Sequence, residues 1–380
     1  MRIKSLEYYD NEYKWKLEKV DFLPSLNLLV GVSGAGKTRI IEAIYNLQSI
    51  ANGASLNGVK WSVFFITDEE IEYTWNGEFE TTENTVSGVK TSDEDEPARL
   101  VNEKLICSNG DIIVERRYSE IILNGNKTPK LSPFESVIDL LDQEDKIAPI
   151  KESLDKIILT KSVRLDEHWR LAVAVLEYFQ NEVPSLLTLR ESSFPVQTKL
   201  SILYHALPKE FKEVKEAFIS IFPNVSDMKI ELAQKDDILF VPIKLPHKNT
   251  LISIKEKGSE GWINNISSGM QKTLMFISEL YLSPENSVIL IDEFENSLGV
   301  NCLDSVTELV LNDRKMQFII TSHHPYIINN ISPSCWRIVT RKAGLVTVKN
   351  SEDFHISASR QKAFIDLINV LEDDEDFEEE

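Results

Sequence analysis

The chain has 380 residues, 61 acidic against 41 basic, a net charge of −20 and 42% apolar side chains. That composition excludes wholesale disorder and leaves ample chain to bury a core, as one large domain or two to three modest ones. Cys107, Cys302 and Cys335 lie far apart with no C-x-x-C between them, which speaks against a disulfide scaffold and a sequence-local zinc site and points to reduced cytosolic thiols.

No apolar run reaches the ~18–20 residues of a membrane span. The start, MRIKSLEYYDNEYKWKLEKV, is charged and alternating rather than a signal peptide, so a cytoplasmic protein is expected. Residues 1–31 read as strands: Ile3, Leu6, Leu17, Val20 and Phe22 recur among polar neighbours, and Leu26-Asn-Leu-Leu-Val30 is a short buried run. Gly31 to Thr38 is a glycine-rich turn. The spacing of Ile40, Ile41, Ile44, Leu47 and Ile50 then predicts a helix over 38–50. Residues 60–130 are β-rich, with Asn-Gly pairs at 76–77, 109–110 and 124–125 as hairpin signals and a polar loop over 81–98. Helical spacing dominates 134–222, interrupted at Pro149, Pro184, Pro195 and Pro208, with no heptad run long enough for an extended coiled coil. Strands return over 228–254. After Gly261 the pattern is helix (268–282), buried strand (287–292), helix (301–312) and buried strand (316–322), an alternation that suits a parallel sheet covered by helices. No internal repeat is present, and the last nine residues, EDDEDFEEE, are an acidic tail expected to be disordered.

Gly31-Val-Ser33-Gly34-Ala-Gly36-Lys37-Thr38 matches G-x-x-x-x-G-K-[ST] in full. Glycines let consecutive backbone N–H groups turn inward around phosphate oxygens, and the helix that follows adds its positive end. In such a loop Lys37 reaches the β- and γ-phosphates and the Thr38 hydroxyl coordinates Mg²⁺. Ser287-Val-Ile-Leu-Ile-Asp292-Glu293 is a buried strand ending in two carboxylates. That strand would place Asp292 at the carboxyl edge of the sheet, where it can hold Mg²⁺ through water while Glu293 polarises the attacking water. Ile266-Ser267-Ser268-Gly269-Met opens a helix; by itself Ser267 or Ser268 is a capping serine, but the segment lies one helix upstream of the acidic strand. Phe318-Ile-Ile-Thr-Ser-His323-His324-Pro325 is a second buried strand ending in histidine, one helix downstream. His323 fits a γ-phosphate-sensing position better than His324, which reads as a surface histidine.

With these four elements in order, the chain resembles the ABC-class ATPases of the SMC, RecF and OLD-type group, often described as AAA family ATPases. Many members of that group occur in bacterial anti-phage defence operons. The resemblance covers residues 1–50 and 260–345, and 100–145 more loosely. It implies an α/β fold: an ABC-type ATPase head with a mixed and parallel central sheet, an antiparallel β arm and a compact helical insertion. It implies ATP and Mg²⁺ as ligands. Gly31, Ser33, Gly34, Gly36, Lys37, Thr38 and Arg39 stand as the Walker A segment, Ser267 and Gly269 as the signature core, Asp292 and Glu293 as Walker B with its catalytic glutamate, and His323 as the switch histidine. Thr38 and Asp292 would be the metal ligands and Glu293, His323 and Lys37 the catalytic groups. Asn296-Ser-Leu-Gly299 stands at the D-loop position. The family's usual Asn is Ser33 here, the signature is Ser-Ser-Gly-Met rather than Ser-Gly-Gly-Gln, and Gln143 is a weak choice for the Q-loop glutamine.

Thr38 and Ile266 are 228 positions apart, which suits neither a transport-type subunit nor, without heptads or a C-x-x-C, a long coiled-coil arm. The expected organisation is an ATPase lobe over 1–145, a helical insertion over 146–222, a second ATPase lobe over 223–371 and the tail over 372–380. The 57 residues after His323 leave no room for a Toprim nuclease domain, so any nuclease would be another polypeptide. The leading expectation is a homodimer or higher homo-oligomer that sandwiches ATP between Lys37 and Thr38 of one copy and Ser267 and Gly269 of the other. It would control an effector protein, a nuclease or toxin. A RecF-like repair ATPase that binds nucleic acid is the alternative: the acidic balance counts against diffuse binding, but Lys14, Lys16 and Lys19, or Arg116 and Arg117, could form a local patch.

Overall fold

A computed structural model describes residues 1–82, 97–160, 169–172, 185–232, 247–264, 266–297, 316–357 and 359–376. The chain divides into two compact units, one formed by Met1–Leu159, Asn286–Glu293 and Arg314–Glu380, the other by Thr160–Glu285 and Phe294–Asp313.

The first unit is built on one mixed sheet. In chain order its strands are β1 (Arg2–Asp10), β2 (Trp15–Asp21), β3 (Leu26–Val30), β4 (Val59–Ile66), β5 (Glu72–Phe79), β6 (Leu100–Cys107), β7 (Ile112–Arg117), β8 (Glu120–Leu123), β9 (Asn126–Lys127) and β10 (Ile157–Thr160). The second unit contributes β11 (Trp169–Ala172), β12 (Val225–Leu232), β13 (His247–Glu256) and β14 (Trp262–Ile263) to a separate sheet, and the first unit resumes with β15 (Val288–Ile291), β16 (Gln317–Thr321), β17 (Trp336–Lys342) and β18 (Leu345–Asn350). The first sheet runs β10-β15-β16-β3-β17-β18-β2-β1-β4-β5-β6-β7-β8-β9. Its β15, β16, β3 and β17 are mutually parallel, and β3, β15 and β16 are wholly buried apolar runs apart from Asn27, Gln317 and Thr321, as strands covered on both faces must be. From β2 through β9 the pairing is antiparallel and the apolar residues alternate. The α/β class with a mixed sheet is as expected.

Helix α1 (Lys37–Ala51) buries Ile40, Ile41, Ile44, Leu47 and Ile50 in the core of this unit. The stretch expected to be helical from 134 onward is different in detail. It forms the short α2 (Val137–Leu140), then α3 (Ala148–Asp155), and then β10 rather than more helix. The β-branched pair Ile157-Ile158 favours extended backbone, and the Lys156 carbonyl accepts from Val288 N–H at 2.9 Å, so the segment is recruited as a strand beside β15. Asn76-Gly77, read as a turn, lies inside β5 with Gly77 opposite Trp61. A Cβ on Gly77 would stand 2.2 Å from the Trp61 ring, so this glycine makes room for an indole and does not bend the chain. The Asn-Gly pairs at 109–110 and 124–125 do lie at the β6–β7 and β8–β9 connections.

In the second unit α4 (Leu186–Glu191), α5 (Val196–Ala206), α6 (Pro208–Ile221) and α7 (Ser268–Leu282) are joined by the sheet β11-β13-β12, with β14 on β13. Helices α5, α6 and α7 pack on one another, and their Leu203, Val214, Phe218 and Leu274 are buried. A short α8 (Phe294–Ser297) follows the acidic strand, α9 (Pro325–Asn330) follows β16, and α10 (Arg360–Asp376) closes the described chain. Thus α10 reaches into the segment read as a disordered tail, whose last residues, 377–380, lie outside the described set, as do the helix expected over 301–312 and most of the 81–98 loop. No helix among the described residues is long and apolar enough to cross a membrane.

Candidate active site

The carboxyl ends of three adjacent parallel strands, β3, β16 and β15, bring the site together, the edge at which open α/β sheets hold ligands. From β3 the chain enters the glycine loop. Gly34 and Gly36 have φ of 84° and 102°, a left-handed backbone that glycine adopts without strain. Gly31 is required for another reason. A Cβ there would lie 2.4 Å from the Val339 carbonyl oxygen of β17, so the neighbouring strand, not the phosphate, forbids a side chain. Gly36 caps α1 without any side-chain hydrogen bond, and the first turn of the helix holds no acidic residue, which leaves its N-terminal N–H groups suited to an anion. Lys37 is buried, its ammonium donating to the carbonyls of Gly31 at 2.9 Å and Val32 at 2.8 Å. Ser33 is exposed at the loop crest. The Arg39 guanidinium lies 5.4 Å from the Tyr13 ring centroid and 5.9 Å from that of Trp15, a cation–π clamp beside the loop.

The Thr38 hydroxyl, on α1, donates to Asp292 Oδ1 at 3.2 Å. Asp292 Oδ1 also accepts from the Thr321 hydroxyl at 2.7 Å, and Thr321 Oγ1 in turn accepts the Glu293 backbone N–H at 2.8 Å. Glu293 has φ 48°, left-handed backbone for a residue with a side chain, and is exposed. A hydroxyl and a carboxylate within reach of one another are the hard oxygen donors that Mg²⁺ takes when it shares its sphere with phosphate and water, so Thr38 and Asp292 fit that ion.

His323 is exposed where β16 ends. Its neighbour does something else, for His324 caps α9, with Nδ1 accepting the Tyr326 N–H at 3.3 Å. Ser267 caps α7, with Oγ accepting the Met270 N–H at 3.3 Å, and a Cβ on Gly269 would meet nothing within 4 Å. Ser267 and Gly269 belong to the second unit, whereas Lys37, Thr38, Asp292, Glu293 and His323 belong to the first. Gln143 is exposed in the turn between α2 and α3. Residues 298 and 299 of the D-loop segment lie outside the described set. Thr321 carries no motif of its own; its one local sign is a hydroxyl ending an apolar strand two positions before a histidine. Arg116, one of the cations considered for a local patch, is buried, with its guanidinium donating to the Glu135 and Ser132 carbonyls.

Residues 13–328 match the AAA ATPase domain family. The chain belongs to that family. It is accordingly an ATP-hydrolysing enzyme, as the motifs led us to expect. Among solved structures it is similar to an Smc head bound to the C-winged helix domain of ScpA, at 15% identity and a TM-score of 0.45, covering 92% of this chain and 98% of that one. It is also similar to an Smc head domain with a coiled coil and joint derived from Pyrococcus yayanosii, at 13% identity and a TM-score of 0.42, covering 97% and 99%. No curated protein matches the chain.

Proposed function

We propose that this ATPase is of the ABC class, that its ATP-bound form is a head-to-head dimer, and that dimer opening after hydrolysis controls a partner effector, a nuclease or a toxin, in anti-phage defence. The observation that carries the hydrolytic part is the Thr38–Asp292–Thr321–Glu293 cluster at the carboxyl edge of the sheet, directly beside the phosphate loop. The loop N–H groups and the α1 terminus bind the phosphates, and Lys37 supplies a positive charge to them. Thr38 and Asp292 would hold Mg²⁺, which when bound offsets charge building on the β- and γ-phosphate oxygens. Glu293 orients the attacking water and takes its proton, and His323 contacts the γ-phosphate. Ser267 and the first turn of α7, free of acidic residues, form an anion-facing helix end that a second copy would present to that phosphate. Hydrolysis removes the group both copies hold, so the closed form loses its differential stabilisation.

The repair-type, DNA-binding alternative draws less support. Besides the burial of Arg116, Lys16 lies 3.5 Å from Glu7, Lys19 3.9 Å from Asp21 and Arg117 2.8 Å from Glu115, so these three candidate cations already face carboxylates. The test is Glu293→Gln. Turnover should fall roughly 10²–10³-fold while ATP binding persists, and light scattering should show an ATP-dependent dimer accumulating. Turnover at the wild-type rate, or a monomer at saturating ATP, counts against the proposal.

A further inference from the structure

Thr321 ends β16 and is 1% exposed. One hydroxyl can donate once and accept twice, and this one does both: its O–H goes to Asp292 Oδ1 at 2.7 Å, and its oxygen takes the Glu293 N–H at 2.8 Å. The two groups it joins are the carboxylate that faces Thr38 and the backbone of the residue expected to handle water. They are adjacent in sequence, 29 and 28 residues away from Thr321. Glu293 stands at φ 48°, a conformation that a non-glycine residue keeps only when its surroundings hold it there. The Thr321 oxygen fixes the Glu293 N–H on the strand side and so fixes the direction in which the Glu293 side chain leaves the backbone. Its proton fixes the rotation of the Asp292 carboxylate. Thr321 itself is shut off from bulk water, so its hydroxyl is held by these two protein partners.

We infer that Thr321 is a positioning residue for ATP hydrolysis, a single buried hydroxyl that locks the Asp292 carboxylate and the Glu293 backbone in one geometry. The inference rests on the roles proposed above for Asp292 and Glu293. It makes a specific claim about rate rather than affinity, because Asp292 keeps its contact with Thr38 when the Thr321 hydroxyl is removed, whereas the Glu293 N–H loses the side chain that holds it. Misplacing an acid–base group by about 1 Å costs on the order of 10²-fold in turnover.

The test uses the full chain and compares Thr321→Val, Thr321→Cys and Thr321→Ser with wild type and Glu293→Gln, each checked by thermal melting. Thr321→Val keeps the shape and removes the hydroxyl; kcat should fall about 30–100-fold while KM for ATP and the Kd of a fluorescent ATP analogue stay within about 3-fold. Thr321→Cys, with a weak donor and acceptor, should fall at least about 10-fold, and Thr321→Ser, which keeps the hydroxyl, should stay within about 3-fold of wild type. If Thr321→Val does not fold, the Cys and Ser pair decides by the same criteria. The inference is overturned if Val and Cys both keep kcat within about 3-fold, if Ser is as slow as Val, or if the loss appears in KM with kcat intact. Should wild type and Glu293→Gln turn over alike, the assignment of Glu293 falls, and this inference with it. A slow Glu293→Gln beside an unaltered Thr321→Val overturns the Thr321 inference alone.

Discussion

At the scale of single residues, the candidate site was legible wherever it is carried by a short string: Lys37 and Thr38 follow their glycines, Asp292 and Glu293 close an apolar strand, and the fold brings Thr38 to Asp292. What the string could not tell is why Gly31 is glycine, since the Val339 carbonyl that excludes a side chain comes from over 300 residues away. Charged residues outside the site were equally opaque. Lys199 on α5 is buried, with its ammonium donating to the Arg190 carbonyl at 2.7 Å and the Leu282 carbonyl at 3.4 Å, the C-terminal ends of α4 and α7. Burial lowers its pKa to about 8, with Glu279 facing it and opposing the shift. The unfolded chain keeps Lys199 protonated to its ordinary value near 10.5, so between pH 8 and 10.5 the unfolded state binds more protons and stability rises with pH. Urea unfolding at pH 7.5 and 10 should therefore shift the balance between wild type and Lys199→Met toward wild type by about 1–2 kcal/mol, once partial solvent screening is allowed for. Burial raises the Glu279 carboxyl above the ordinary carboxylate value, and Lys199 opposes that shift, so Glu279 is kept in both proteins of the comparison.

At the scale of elements, periodicity recovered α1, α7, β15 and β16 closely, since each has a face or a run that water must not reach. It failed where a glycine or a β-branched pair had a partner far off. Trp61 sits opposite Gly77, with Trp75 at 5.0 Å and Phe79 at 5.7 Å between ring centroids, so three side chains of β5 and β4 and one absent side chain make one packed layer. Gly77→Ala forces a methyl group into the indole. It should destabilise the chain by about 1–3 kcal/mol, read as a lower apparent Tm in scanning calorimetry. Gly110→Ala provides the contrast in space, for nothing stands within 4 Å of its Cβ, although its φ of 92° still carries a backbone cost.

At the scale of the whole molecule, the first unit gathers three separate stretches of chain, and one sheet edge holds the ends of β3, β15 and β16. Ser267 and Gly269 belong to the other unit, and the proposed sandwich assigns them to the phosphate of a second copy. That assignment makes a mixing experiment decisive. Lys37→Ala protein lacks a working phosphate loop and Ser267→Arg protein lacks a working helix end, so each alone should be inactive. A 1:1 mixture that exchanges subunits should recover about a quarter of wild-type activity, because half the dimers carry one intact composite site. A mixture as inactive as its components would exclude a site built from two copies.

The sequence alone determined the strand, glycine loop and helix of the candidate site, the acidic strand end, the serine-capped helix and the order of all three, because each depends on backbone and side-chain chemistry within about ten residues. Tertiary structure alone decided that Asn76-Gly77 runs straight, that Arg116 is interior, that Ile157 begins a strand, and that Thr321 ties Asp292 to Glu293. Those outcomes come from pairings between distant segments when the sheet closes. A hydroxyl or a missing side chain then acquires its partner from a strand with which it shares no local pattern.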